Sequence, residues 1–353
     1  MNDNDAEGAL RTVKNVTIKD VARVAGVSTQ TVSRVINNRP DVASDTRTRI
    51  LKIIADLGYS PNRIAKSLSS GRSYTLGVVG FGLKYYGSTS VLRGIEQKAN
   101  ETGFSIILSL MDKYEVDRVD RILQELFSHQ VEGVIWSIPG MGKKIEGLSN
   151  RFSESGVPVV FINREQSGGD LVVAMDNRFG GKMATEHLLT QGYHQVGIIT
   201  GPAGWWEAQQ RRLGWRDALE EAGFTDLGDL MVEGDWLPKS GENGLYQLVE
   251  TVPDLDAVFV SNDQMALGVL RAARKLGLQV PQDLGVVGFD DIPEASYFYP
   301  PLTTVQQNAK KLGALSVEKL HHFIRGEESD KVVAMEVSWV KPELVVRESS
   351  AKA

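Results

Sequence analysis

Six polar side chains within nine residues form the first group suited to chemistry: Thr29, Gln30, Thr31, Ser33, Arg34 and Asn37. Their spacing gathers them on one side of a helix whose other side carries Val32, Val35 and Ile36. Gln pairs with adenine, Arg with guanine, and Thr offers a methyl to thymine, so this face suits the base edges and phosphates of a duplex. A second group stands where apolar runs end. Tyr85 and Tyr86 follow Leu76–Val79, Ser137 closes Val134–Ser137, and Trp205, Trp206 and Arg211 follow Val196–Thr200. Trp236 follows Glu233-Gly234-Asp235, Asn262 follows Ala257–Val260, and Asp290 follows Val286–Phe289. Aromatic faces pack on a sugar ring, while Arg, Asn and Asp bond its hydroxyls and penalise a ligand that leaves them unpaired. Each feature also has a plain reading: a solvated helix face, core packing for Trp205-Trp206, a helix cap for Asp290-Asp291. The set outweighs its members because every one falls at a strand end.

The elements that must hold these groups are legible in outline. Thr17-Ile18-Lys19-Asp20 reads as a capping box opening a helix through Ala25, and Gly26 supplies the turn. Ser28 caps the helix Thr29 to Asn37. Ser44 and Asp45 start a third helix with Ile50, Ile53, Ile54 and Leu57 at helical spacing, and Gly58 ends it. Ser60-Pro61 begins a short segment through Leu68, with Pro well placed at the first helical position but too few residues for a helix stable alone. Residues 1–15 have no periodic apolar pattern and read as disordered. From Tyr74 onward, apolar runs at Ile106–Leu110 and Val159–Ile162, with those above, alternate with amphipathic stretches such as Val91–Asn100, Val116–Phe127, Ala184–Leu189 and Met265–Leu276. That alternation predicts parallel sheets covered by helices, in two subdomains, with ligands at the carboxyl ends of strands.

Length and charge bound the function class. The 353 residues suit two or three domains. Cysteine is absent, which removes disulfides and thiolate metal sites and suits a reducing cytosol. Met1 to Gly8 is polar and acidic, unlike a signal peptide, and no apolar run approaches the ~20 residues that span a bilayer, so a cytoplasmic protein is expected. The net charge of −6 is uneven: residues 1–72 hold 12 Lys/Arg against 7 Asp/Glu, net +5, which leaves −11 for the rest. A basic head on an acidic body is expected when one domain alone touches phosphate.

Thr17 to Leu68 resembles the head of the lactose/galactose-repressor family. The matching stretches are Ile18-Lys19-Asp20-Val21-Ala22, Gly26-Val27-Ser28, Thr31-Val32-Ser33-Arg34-Val35-Ile36-Asn37 and Tyr59-Ser60-Pro61-Asn62-Arg63. The likeness continues to about Arg347. It implies an N-terminal all-α helix-turn-helix head plus an α/β periplasmic-binding-protein-like body of two parallel-sheet subdomains. It implies that Thr29, Gln30 and Arg34 read bases, while Thr17, Ser28, Thr31, Ser33 and Asn37 mostly position the helix on phosphates. The segment from Pro61, with Asn62, Arg63 and Ala65, resembles a hinge helix that folds on DNA. Leu68 would wedge into the minor groove and kink the duplex. In the body, Asn163, Arg211, Asn262 and Asp290 match effector-contacting positions, and Trp236 and Gln307 match a stacking residue and a polar contact. Thr29 stands where the lactose-responsive member has a tyrosine, Asn163 where it has an aspartate, and Glu207 where it has a serine. The departure at Thr29 means that the operator sequence does not carry over, those at Asn163 and Glu207 point away from galactosides, and the paired tryptophans point toward a β-glucoside or short oligosaccharide.

The resemblance implies domains at 16–60 (helix-turn-helix), 61–73 (hinge and linker) and 74–347 (effector and dimerisation), with a tail at 348–353. The body would divide into 74–175 with 304–339, and 176–303. A homodimer on a pseudo-palindromic operator is expected, since no leucine heptads follow Arg347. Cofactor and metal are expected to be absent. An enzyme is disfavoured because Gly80-Phe81-Gly82 lacks the third glycine of a dinucleotide loop, Tyr85 standing in its place, and adjacent His321-His322 do not face one way on a helix. A sugar-binding protein without DNA function would share the body but not the basic head. A purine or another metabolite acting as corepressor is the rival effector class.

Overall fold

Thr17 and Asp20 close a reciprocal cap: the Thr17 N–H donates to Asp20 Oδ2 at 3.0 Å, and the Asp20 N–H to Thr17 Oγ1 at 3.4 Å. This starts α1 (Ile18–Ala25), which Gly26 ends at φ 64°. The computed structural model describes residues 16–60, 67, 71–112, 115–138, 147–326 and 336–351. Two units are resolved by their internal contacts, Met1–Ser73 and Tyr74–Ala353. In the first, Ser28 Oγ accepts from the Thr31 N–H at 3.1 Å and opens α2 (Thr29–Ile36), and α3 is Ser44–Leu57. Val21, Ala22 and Ala25 of α1, Val32 and Val35 of α2 and Ile50 of α3 form one buried cluster. Burying six apolar side chains supplies what helices of eight residues lack in isolation.

The second unit holds two six-stranded sheets. The first contains β1 (Thr75–Phe81), β2 (Ser105–Met111), β3 (Gly133–Ser137), β4 (Val159–Ile162), β5 (Leu171–Met175) and β11 (Ser338–Val340), in the order β11-β5-β4-β3-β1-β2, all parallel. The second contains β6 (Val196–Thr200), β7 (Met231–Glu233), β8 (Ala257–Val260), β9 (Gly285–Asp290), β10 (Thr303–Gln306) and β12 (Glu343–Val345), in the order β12-β10-β9-β8-β6-β7. Helices α4 (Tyr86–Glu101), α5 (Val116–Ser128), α6 (Leu148–Ser155) and α11 (Ala309–Arg325) belong with the first half of the chain's strands. Helices α7 (Asn177–Thr190), α8 (Trp206–Glu221), α9 (Pro238–Thr251) and α10 (Asp263–Leu276) belong with the strands of the second. Each sheet has an apolar cluster on either face, which is why its inner strands are apolar at nearly every position.

Several expectations need correction. The short strands β5, β7, β10, β11 and β12 were not expected: a run of three to five residues does not by itself distinguish strand from helix, and β10 is rich in threonine. β10 pairs with β9, so the boundary at 304 moves to the crossover at Gln307 and Asn308, and β12 also joins the second sheet. β12 runs antiparallel to β10, so the second sheet is not wholly parallel. Residues 348–353 are not a free tail as far as they are described. Ser349 and Ser350 are fully buried; the Thr303 N–H donates to Ser349 Oγ at 2.8 Å, and Ser349 Oγ donates to the Val286 carbonyl at 2.6 Å.

Candidate functional site

In the head, α2 turns Val32 and Val35 inward and leaves Thr29, Gln30, Arg34 and Asn37 exposed, with Thr31 and Ser33 half-buried. Thr17 and Ser28 are exposed and hold the helix starts through their caps. Asn37 Nδ2 donates to the Ser33 carbonyl at 2.9 Å and to its hydroxyl at 3.3 Å. Arg34 Nη1 lies 3.4 Å from Asp41 Oδ2. The result is a rigid polar ridge on a three-helix core, able to enter a major groove. Asn62, Arg63, Ala65 and Leu68 lie outside the described residues.

In the body, the carboxyl ends of the two sheets enclose a cavity of about 700 Å³, its open mouth included. Eleven of the predicted residues line it. Tyr85, Tyr86, Ser137, Asn163 and Gln307 come from the first half or the crossover; Trp205, Glu207, Arg211, Trp236, Asn262 and Asp290 come from the second. Trp206 is the correction. Its ring stacks with Trp339 of β11 (centroids 6.5 Å apart, 22° between planes) and packs on an apolar cluster of the first sheet. Trp205 caps α8 while Trp206 is its first residue, so adjacent side chains diverge by the helical rotation.

Arg211 organises the floor. Its Nε donates to Asn177 Oδ1 at 2.8 Å and its Nη1 to the Ser261 carbonyl. Its guanidinium lies 3.7 Å from the centroid of Phe289 and 5.5 Å from that of Trp236. Asp290 stands 3.8 Å from Nη1 and accepts from Gln307 Nε2 at 2.5 Å. Asp290 sits at φ 119°, a conformation rare outside glycine, and Asp291 follows at φ 53°. The strain is held from behind: Asp263, fully buried, accepts from the Ile292 N–H at 2.9 Å and from Thr304 Oγ1 at 2.6 Å. Burial pushes the Asp290 carboxyl up to about 6, with Arg211 and Gln307 pulling the other way. Burial, with Asp290 nearby, raises Asp263 as well.

Asn262 caps α10, accepting from the Met265 N–H at 2.9 Å, and donates to the Trp236 carbonyl at 3.1 Å. Trp236 lies on Gly201, where a Cβ would come within 2.0 Å of the indole. Trp205 meets Trp236, Tyr85 and Phe81 edge to face at 5.6, 5.4 and 5.4 Å, so an aromatic wall spans the two halves. Asn163, at φ 51°, accepts from the Met175 N–H at 2.9 Å. Asn177 and Gln264 were not singled out from sequence; Gln264 stands two residues after Asn262 at the same strand end, whereas nothing local marks Asn177 as the partner of Arg211. Among the described residues, no group of His, Cys, Asp and Glu is arranged to hold a metal, and no helix is long and apolar enough to cross a membrane.

Comparison with known proteins now bears on both sites. Residues 17–62 match the model for bacterial regulatory proteins of the lacI family, and residues 185–350 match the periplasmic binding protein-like domain. The chain is 31% identical over 329 residues to the lactose operon repressor of Escherichia coli (strain K12), covering 93% of this chain and 90% of that one. It is 33% identical over 337 residues to the HTH-type transcriptional repressor PurR of Edwardsiella ictaluri (strain 93-146), covering 95% and 97%. Its fold matches the lac repressor dimer bound to operator and the anti-inducer ONPF with a TM-score of 0.82, at 30% identity over 96% of this chain and all of that one. It matches a transcriptional regulator CelR–cellobiose complex with a TM-score of 0.70, at 31% identity over 95% and 100%. The chain therefore belongs to the lacI family of bacterial regulatory proteins, and it is a transcriptional regulator rather than an enzyme.

Proposed function

We propose that this chain is a dimeric repressor of carbohydrate-utilisation genes, released from a palindromic operator when a β-glucosidic disaccharide fills the cleft. The observation that carries the reading is the cavity itself. Aromatic rings from both halves wall it, and Asn163, Arg211, Asn262, Asp290 and Gln307 converge on it. Rings along one wall suit stacked sugar units, and the polar set suits hydroxyls. Likeness to a regulator bound to cellobiose, a β-linked glucose disaccharide, supports this choice. On the DNA side, Thr29, Gln30 and Arg34 read bases, and Ser28, Thr31, Ser33 and Asn37 anchor the helix to the backbone. Residues 61–73 act as a hinge in which Leu68 wedges the operator centre. Operator and sugar then oppose each other through one coupling free energy, typically ~1–3 kcal/mol.

Similarity to the PurR repressor favours a second reading, in which a purine base stacks in the aromatic wall and tightens DNA binding. One experiment separates the two. Duplexes retained by the purified chain are selected from a random pool, and the winning sequence is titrated with cellobiose, lactose, ribose and purine bases. Release by cellobiose is expected. Tightening by a purine replaces the sugar reading, and the absence of any selectively retained duplex sinks both.

A further inference from the structure

We infer that Glu207 makes the cleft selective for neutral effectors: its carboxylate accepts a hydrogen bond from a sugar hydroxyl, and sugars bearing phosphate or carboxylate are rejected. The inference rests on the sugar reading above. Glu207 stands in the first turn of α8, in the second half of the body, opposite Asn163 from the loop after β4 in the first half. Asn163 spends its carbonyl oxygen on the Met175 N–H, so its amide nitrogen is the end left to face the cavity that it lines together with Glu207. Among the described residues Oε2 of Glu207 is enclosed and has no hydrogen-bond partner, and neither has Nε1 of Trp236, which lines the same cavity. The indole N–H only donates and the carboxylate accepts, so a sugar, whose hydroxyls do both, can serve each of them. An anionic oxygen can serve Trp236 but is repelled by Glu207.

The charges lead to the same conclusion. The described lining holds two carboxylates, Glu207 and Asp290, and one cation, Arg211. That guanidinium is already engaged by Asn177, the Ser261 carbonyl, Asp290 and two aromatic faces. Burial already raises both carboxyls, so an entering anion must either face their negative charge in a desolvated site or force a carboxyl to take up a proton, and both oppose its binding. A neutral sugar has no such penalty, and its hydroxyl gains a charge-assisted bond.

Calorimetry on the full chain tests this with matched probes: cellobiose against cellobionate, glucose against glucose 6-phosphate, ribose against ribose 5-phosphate. The neutral member of a pair is expected to bind and the charged member not. Glu207→Gln, which keeps the shape and removes the charge, is expected to weaken the neutral sugar about 10- to 100-fold and to narrow the gap to its charged counterpart. Glu207→Ala is expected to weaken it further, with thermal melting confirming that both variants fold. Unchanged neutral-sugar affinity in Glu207→Gln, or equal binding of charged and neutral members, overturns the role of Glu207 while leaving the sugar reading intact. If no sugar binds the folded wild-type chain, the sugar reading falls and this inference falls with it.

Discussion

Arg211 and Asp290 face each other across 3.8 Å in the floor of the cleft, both almost fully buried. Removing one member strands the other. Arg211→Ala is therefore expected to cost about 3–5 kcal/mol of stability in addition to any effect on effector binding. The exposed pair Arg178 and Asp217, bonded at 2.6 and 2.8 Å on the surface, should cost no more than about 1 kcal/mol when broken. Urea denaturation of Arg211→Ala and Arg178→Ala compares them; equal losses would remove Arg211 from its structural role.

The ionisation of Asp290 has a predictable sign. Its carboxyl is pushed from 3.8 up to about 6 by burial. The folded state thus holds the proton more tightly than the unfolded chain, and stability falls as pH rises through that interval. Asp290→Asn removes this loss. Relative to wild type, the variant should gain about 2 kcal/mol between pH 4 and pH 7. Asp263, raised partly by Asp290, relaxes downward in the variant and reinforces the sign. Thermal midpoints of both proteins at the two pH values check it; a constant difference refutes it.

The placement of Glu207, Arg211 and Asn177 depends on how closely α7 and α8 cross. A Cβ on Gly214 would lie 1.9 Å from the Arg178 carbonyl, which no side-chain movement relieves. Gly214→Ala is expected to destabilise the body by about 1–3 kcal/mol and to weaken effector binding together with stability. At Gly204 a Cβ meets nothing within 4 Å, so Gly204→Ala is the matched control. Melting and titration of the pair should separate cleanly.

In the head, Arg34 lies 3.4 Å from the half-exposed Asp41, a contact it would have to give up to read a base as proposed. Asp41→Asn is expected to raise duplex affinity several-fold by freeing Arg34 and removing a charge that repels phosphate. Arg34→Ala should instead cost about 1–3 kcal/mol and relax sequence preference at one base pair. Fluorescence anisotropy with selected and scrambled duplexes distinguishes these effects, and weaker binding by Asp41→Asn would contradict the first.

Local chemistry decided much of this protein before any folding. The caps at Thr17 and Ser28, the turn at Gly26 and the apolar side of α2 depend on neighbours within four residues, so the head was readable in outline. The strand ends carrying Tyr85, Trp205, Asn262 and Asp290 were marked by the apolar runs before them. Tertiary structure decided the rest. Which of Trp205 and Trp206 faces the cavity depends on where α8 begins. The partnership of Arg211 with Asn177 joins residues 34 positions apart. Strand β10 needs the edge of β9, β12 needs the edge of β10, and Ser349 is buried only where Thr303 and Val286 meet. Such features draw their free energy from surfaces that meet after the chain has crossed between sheets, and no stretch of sequence carries that pairing by itself.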